Sequence, residues 1–185
     1  MKETQKNLLR AFVGESTARN KYTLFAEQAL KEGYRQIANL FLETADNERG
    51  HAERLLEFME KPTETSWEFK IHPFGDTMKN LKEAAAGERY EWSEMYPTFK
   101  RIAEKERKGK IATVFQEISE VEEIHEERYR KLISNLKNHL VYKRKTNQEW
   151  QCLNCGYIHK GKEAPRVCPA CGHDQSYYQL RCVNW

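Results

Sequence analysis

Along residues 1 to about 144, apolar side chains recur at three- and four-residue steps over stretches longer than a typical helix, which predicts four long amphipathic helices. The first carries Leu8, Phe12, Tyr22, Ala26 and Ala29 on one face, with Gly33 as its stop. The second carries Ile37, Phe41, Thr44, Leu55 and Phe58 and ends before Pro62. Met78, Leu81, Ala84, Met95, Thr98 and Ile102 mark the third, expected to begin near an N-cap at Asp76 and to stop near Gly109. Ile111, Phe115, Ile118, Tyr129, Leu132 and Leu136 mark the fourth. Short joins at Gly33 and Gly109 make antiparallel hairpins of helices one and two and of helices three and four. Residues 61–74, with Pro62 and Pro73, read as irregular chain. Fully extended they reach about 46 Å, and a helix of some 27 residues is about 40 Å long, so this join is long enough to cross the whole bundle.

The helical period is lost after Tyr142. KRKTNQ is polar and linker-like, and the rest of the tail is rich in Gly and Pro and holds aromatic rings at Trp150, Tyr157, Tyr177 and Tyr178 among others. A unit of this size seldom folds without a staple. The expected division is 1–144 for the helical domain and 145–185 for a small module.

Composition narrows the class. Mean hydropathy is −0.89, and no stretch approaches the roughly 18 apolar residues of a membrane span. The opening MKETQKNLLRAF lacks the apolar centre of a signal peptide, so a soluble, cytoplasmic protein is expected. Its 31 basic and 28 acidic side chains give a net charge of +3 and are interleaved, without the basic face of a nucleic-acid binder. All five cysteines fall within the last 34 residues. An odd, clustered count in a chain without an export signal favours metal ligation over disulfides.

Most glutamates on a helix are solvated, but four here sit mid-helix on the stripe that should face the core. Glu15 is in register with Phe12 and Tyr22, and Glu48 with Phe41, Thr44 and Leu55. Glu91 lies between Ala84 and Thr98, and Glu122 comes after Phe115 and Ile118. Burying bare carboxylates costs several kcal/mol each, so four at one level call for cations. Glu48 with His51 and Glu122 with His125 form two Glu-x-x-His pairs, each on a single helix face. One Glu from each of two helices plus Glu-x-x-His from the other two is the donor set of carboxylate-bridged di-iron bundles. Glu15 to Glu48 spans 33 residues and Glu91 to Glu122 spans 31, as if two hairpins each supplied half a site. Glu94, three residues after Glu91, adds a fifth carboxylate.

In the tail, Cys152-x-x-Cys155-Gly156 and Cys168-x-x-Cys171-Gly172 make a tetrahedral thiolate site, with twelve residues between Cys155 and Cys168. Iron and zinc both accept this geometry. A one-electron iron centre beside a two-electron site has an evident use, which favours iron. Cys182 lies outside both pairs and is given no role.

Together with stretches such as GESTARNKY, YEWSEMYPTF and GYIHKGKEAPRVCPACGH, these motifs resemble the rubrerythrin family over essentially the whole chain. The resemblance implies an all-α four-helix ferritin-like bundle followed by a small, mainly β and loop, rubredoxin-like metal-binding domain. It also implies a non-haem di-iron peroxidase that reduces hydrogen peroxide to water in oxidative-stress defence. Glu48 and Glu122 would bridge the irons, Glu15 would bind one, and Glu91 with His125 the other. Glu94 and His51 would alternate as ligands of the first iron, carboxylate when oxidised and imidazole when reduced, and so take part in catalysis. Tyr22 would stand beside the ligands. Cys152, Cys155, Cys168 and Cys171 would hold one rubredoxin-type iron that returns electrons. The implied working unit is a homodimer or larger homo-oligomer, with the rubredoxin centre of one chain near the di-iron site of another. The chain has no Gly-x-Gly-x-x-Gly nicotinamide fingerprint, so a separate, NAD(P)H-driven reductase or a rubredoxin is expected as donor, with neither nucleic acid nor membrane as partner. The rival readings are a ferritin-like ferroxidase or iron-handling protein, and a zinc-ribbon adaptor on a helical bundle.

Overall fold

The structure, a computed structural model, describes residues 2–68 and 71–183. Its N-terminal body contains α1 (Glu3–Lys31), α2 (Arg35–Leu56), α3 (Thr77–Tyr90), α4 (Tyr96–Lys105) and α5 (Gly109–Lys137). Five residues of π-helix, Glu91–Met95, join α3 to α4. The third helix is therefore interrupted where the periodicity predicted a continuous one. Pro97, in the first turn of α4, supplies the cause: inside a helix its ring collides with the carbonyl four residues back, and it has no N–H to donate. Widening the preceding turn relieves that collision.

Gly33 ends α1 as expected, with φ of 79°. Around it Tyr34 N–H bonds to the Ala29 carbonyl at 2.8 Å and Gly33 N–H to the Leu30 carbonyl at 3.1 Å, the paired bonds of a Schellman cap. The turn after α4 is built the same way but around Arg107, at φ of 59°, so Gly109 opens α5 and does not terminate the helix before it.

The long join does cross the bundle. Near its start, Glu60 N–H reaches Gln5 Oε1 at 3.2 Å, beside the beginning of α1. At its far side Thr77 N–H donates to Glu32, at the other end of α1, at 3.1 Å. Midway, the Trp67 ring lies under the Arg10 guanidinium, 4.6 Å away, and packs edge-on against Phe99. Asp76 caps α3 as predicted, its carboxylate accepting from Lys79 N–H at 2.7 Å. Because α3 starts at the end of the bundle where α2 also started, the two hairpins sit side by side in ferritin-like order.

The bundle has two apolar clusters. Tyr22, Phe25, Phe41, Leu81 and Tyr129 belong to one, and Leu8, Leu55, Tyr96, Phe99, Phe115 and Ile118 to the other. In sequence, Glu15 falls between Ala11 and Tyr22, Glu48 between Ala45 and Leu55, and Glu122 between Ile118 and Tyr129. The buried carboxylates thus form a polar layer between two hydrophobic ones.

The C-terminal unit is a three-stranded antiparallel sheet in the order β2-β1-β3, formed by β1 (Lys143–Cys152), β2 (Ile158–Glu163) and β3 (Tyr178–Leu180). KRKTNQ, expected to be a linker, is the first part of β1, and the pairing with β2 slips between Lys143 and Gln148. Its polarity reflects exposure on a small sheet and not absence of structure. Trp150 and Tyr178 are fully buried in this unit's core beside Cys152 and Cys168. The sheet seats on the α1–α2 turn, where Tyr142 Oη donates to the Gly33 carbonyl at 2.5 Å and the Arg35 guanidinium lies over the Tyr177 ring at 3.8 Å. Among the described residues, no helix is long and apolar enough to cross a membrane.

Phe41 is fully buried, with ring contacts to Tyr22, Phe25 and Tyr129. Phe41→Ala is expected to destabilise the metal-free fold by about 3–5 kcal/mol, measured by urea denaturation.

Candidate metal centres

Four helices deliver side chains to the polar layer. Glu15, Glu48, His51 and Glu122 form one group in which the potential donor atoms all lie within 4.8 Å of one another. Glu48, Glu88, Glu122 and His125 form a second. Glu48 and Glu122 belong to both, the placement required of carboxylates that bridge two ions. His51 Nδ1 is 3.0 Å from Glu48 and 2.9 Å from Glu122, while His125 Nδ1 is 3.3 Å and 2.7 Å from the same two residues. The two imidazoles are stacked 6.0 Å apart.

Tyrosine hydroxyls orient two of these carboxylates from outside. Tyr96 Oη donates to Glu15 Oε1, and Tyr22 Oη to Glu88 Oε1. The second oxygen of each, together with Glu48 Oε1 and both oxygens of Glu122, is buried without a hydrogen-bond partner. Orphaned anionic oxygens at this depth are costly, and a pair of hard or borderline cations is what such a mixed O and N donor set accommodates.

The titration behaviour has the same origin. Burial, then the Glu122 charge, pushes the Glu15 and Glu88 carboxyls well above the ordinary range. Burial with Glu122 and Glu48 nearby raises Glu91 to about 8. Burial also works against the charged form of Glu48, but the neighbouring His125 and His51 imidazoles outweigh it and bring Glu48 down to about 2. For His125 burial opposes the cation, and Glu122 and Glu48 overcome it, raising the imidazole to about 9. His51 is raised further by Glu122, Glu15 and Glu48.

On the third helix the structure departs from the sequence expectation. Glu88, not singled out by the periodicity, is 1% exposed and belongs to the second group. Glu91 stands at the start of the π-turn, half-buried, close enough to the layer for its charge to act on Glu15. Glu94 is exposed and falls outside both groups. Three residues along an α-helix keep to one face, as they do from Glu88 to Glu91, but a π-turn holds more residues per turn, and the step from Glu91 to Glu94 falls short of a full revolution. Of the third-helix carboxylates, therefore, Glu88 enters a donor group, while Glu91, one turn on and half-buried, lies at the margin of the layer outside both groups. The signal was available in Pro97, which forbids an undisturbed α-helix through residues 91–95.

In the tail, Cys152, Cys155, Cys168 and Cys171 bring their sulfurs within 4.8 Å of one another. Cys152 and Cys171 are 3.8 Å apart and Cys155 and Cys168 3.7 Å, against an edge of about 3.8 Å for a tetrahedron with metal–sulfur bonds of about 2.3 Å. The two loops repeat one design. Cys152 N–H bonds to the Tyr157 carbonyl as Cys168 N–H does to that of His173, and Gly156 and Gly172 N–H return to the Cys152 and Cys168 carbonyls. Gly156 and Gly172 take φ of 80° and 75°, where a side chain would be strained. A backbone hydrogen bond at His173 is the chief cause holding the Cys171 thiol down at about 6. Cys182 is exposed and outside the cluster.

These shifts predict how the metal-free bundle responds to pH. Glu91 and His125 both bind a proton more tightly in the folded chain, so the stability each contributes is complete below its unfolded value, about 4.3 and 6.5 respectively, and is lost as pH rises through about 8 and about 9. The melting temperature of chelator-treated protein should fall between pH 6.5 and 9, and iron should flatten or reverse that slope, both measured by calorimetry.

The family model for rubrerythrin matches residues 6–133, and that for the rubrerythrin rubredoxin-like domain matches residues 150–179. Rubrerythrin of Nitratidesulfovibrio vulgaris is 46% identical over 183 residues, covering 98% of this chain and 96% of that protein. Rubrerythrin of Porphyromonas gingivalis is 46% identical over 184 residues, covering 99% and 92%. Among solved structures, nigerythrin in a mixed-valence state superposes with a TM-score of 0.66 at 34% identity, covering 96% of this chain and 86% of that one. The carboxylate and histidine cluster corresponds to a di-iron site and the four-cysteine cluster to a rubredoxin-type iron site.

Proposed function

Because the chain belongs to the rubrerythrin family, we propose that it is a non-haem di-iron peroxidase that reduces hydrogen peroxide to water. Family membership with both domains supports oxidoreductase chemistry and an oxidative-stress role. The observation that carries the finer reading is the union on one chain of a dinuclear carboxylate site and a separate tetrathiolate site. A ferroxidase that mineralises iron has no use for the second.

When bound, the iron pair supplies two electrons for cleaving the O–O bond and the thiolate-held iron returns them singly. In this reading Glu48 and Glu122 would be shared between the two ions, Glu15 would serve one position, and Glu88 with His125 the other. Glu91 would take the part expected of Glu94, alternating with His51 at the Glu15 position. A carboxylate suits the more highly charged ferric ion and a neutral imidazole the ferrous one. Glu91 is suited to moving because it stands half-buried at the margin of the layer. Tyr96 and Tyr22 hold Glu15 and Glu88 still while it does so.

A separate reductase or rubredoxin in the cytoplasm supplies the electrons. We place the cysteine centre of one chain near the dinuclear site of a second copy in a homodimer or larger homo-oligomer. Within one chain the module seats at Arg35, and Glu48, thirteen residues further along α2, is roughly 20 Å away along the helix axis. A groove lined by Gly50, His51, Val121 and Ile124 opens toward the site instead.

The protein is expected to bind two irons in the bundle and one in the tail, to show ferric-thiolate colour, and to turn over peroxide with an electron donor. Stoichiometric ferrous oxidation with a retained mineral would favour iron handling, and a colourless zinc protein would favour an adaptor. Cys155→Ser should permit one reaction of the reduced bundle with peroxide and block turnover. Undiminished turnover would contradict the relay. Glu91→Ala should slow the cycle with iron retained, whereas Glu94→Ala should leave steady-state kinetics close to wild type. The reverse result would restore Glu94 as the exchanging ligand.

A further inference from the structure

We infer that Trp92, Ser119 and Glu126 are positioning residues that lock the π-turn in its wide register and thereby set where Glu91 stands. The inference rests on the reading of Glu91 as a ligand.

The π-turn creates a specific vacancy in the backbone bonding. Tyr96 N–H reaches back five residues to the Glu91 carbonyl. Continuing that pattern, the Trp92 carbonyl would accept from residue 97, but residue 97 is proline and has no N–H. Ser119 Oγ, from α5, donates to that carbonyl instead, at 3.1 Å. The Trp92 side chain makes a second bond to the same helix, its indole Nε1 donating to Glu126 Oε2 at 2.7 Å. Glu126 is 6% exposed, with Arg130 and Arg89 at 3.4 Å and 3.8 Å from its other oxygen.

On α5, Ser119, Glu122 and Glu126 recur at steps of three and four and share a face. The helix that carries the bridging carboxylate Glu122 therefore grips the π-turn on both sides of it. Glu15 and Glu88 each have a tyrosine hydroxyl to orient them. Glu91 is set through the main chain, by the residue immediately after it.

The reduction potential of the di-iron centre in the iron-loaded full chain tests this, because it reports how a ligand stands and is independent of peroxide. Trp92→Phe and Glu126→Leu should retain iron and shift the potential in the same direction as Glu91→Ala. In a Glu91→Ala background they should add nothing. Glu126→Gln keeps an acceptor for the indole and should restore the wild-type potential. Turnover should fall roughly three- to tenfold in the two clamp-breaking variants, the scale of one lost hydrogen bond. Should Trp92→Phe lose iron, Ser119→Ala is the milder variant and is expected to shift the potential the same way. A potential unmoved by the clamp variants while Glu91→Ala moves it, or shifts that persist in the Glu91→Ala background, would overturn the inference. A Glu91→Ala variant with wild-type potential would instead remove Glu91 from the ligand set, and the inference with it.

Discussion

The constraint on which the structure depends is the burial of carboxylates at the centre of a helical bundle. Glu15, Glu48, Glu88 and Glu122 are all at most 1% exposed, and four isolated ions in such places, at several kcal/mol each, would together rival a small domain's whole margin of stability. The surroundings respond in two ways. Imidazoles hold Glu48 ionised, while Glu15, Glu88 and Glu91 are driven toward the protonated form. Neither response supplies partners for the orphaned oxygens. A pair of cations does both, replacing protons and filling the coordination gaps. The fold around the layer can then be conventional, with apolar clusters on each side that would pack without it.

Those clusters explain why the layer can be exact in its geometry. Aromatic rings crowd it from both directions, and two of them, Tyr22 and Tyr96, also donate hydrogen bonds into it. The same residues thus belong to the hydrophobic core and to the support of the site. Removing core volume on either side would loosen the ligands as well as the fold, so packing and metal affinity are linked through a few tyrosines.

Much of this was legible in the sequence, for physical reasons that also mark where the reading stopped. Helical periodicity exposed Glu15, Glu48 and Glu122 because each interrupts an apolar stripe, and a three-residue step disclosed His51 and His125. Four cysteines in paired knuckles declared their own geometry. The third helix was harder. A reading based on uniform α-helical steps carried the register straight through Pro97 and so paired Glu91 with Glu94, whereas the wide turn leaves Glu94 outside and Glu88 inside. KRKTNQ failed for a different reason: a short exposed strand needs no apolar alternation, and its polarity looked like a linker.

The two metal sites place opposite demands on the chain that holds them. In the tail, the ligands and the core are nearly the same residues, since Cys152 and Cys168 are buried with Trp150 and Tyr178 in a unit too small to fold on apolar contacts alone. A fixed tetrahedron of sulfurs suits an ion that changes charge by one without moving its ligands. In the bundle, the fold has its own cores, and on the proposed reading the ligand layer would tolerate one mobile member, Glu91. The π-turn is where the helix that carries it departs from regular geometry. It costs regular hydrogen bonding along one helix, whereas Glu15, Glu48, His51, Glu88, Glu122 and His125 all rise from uninterrupted α-helix.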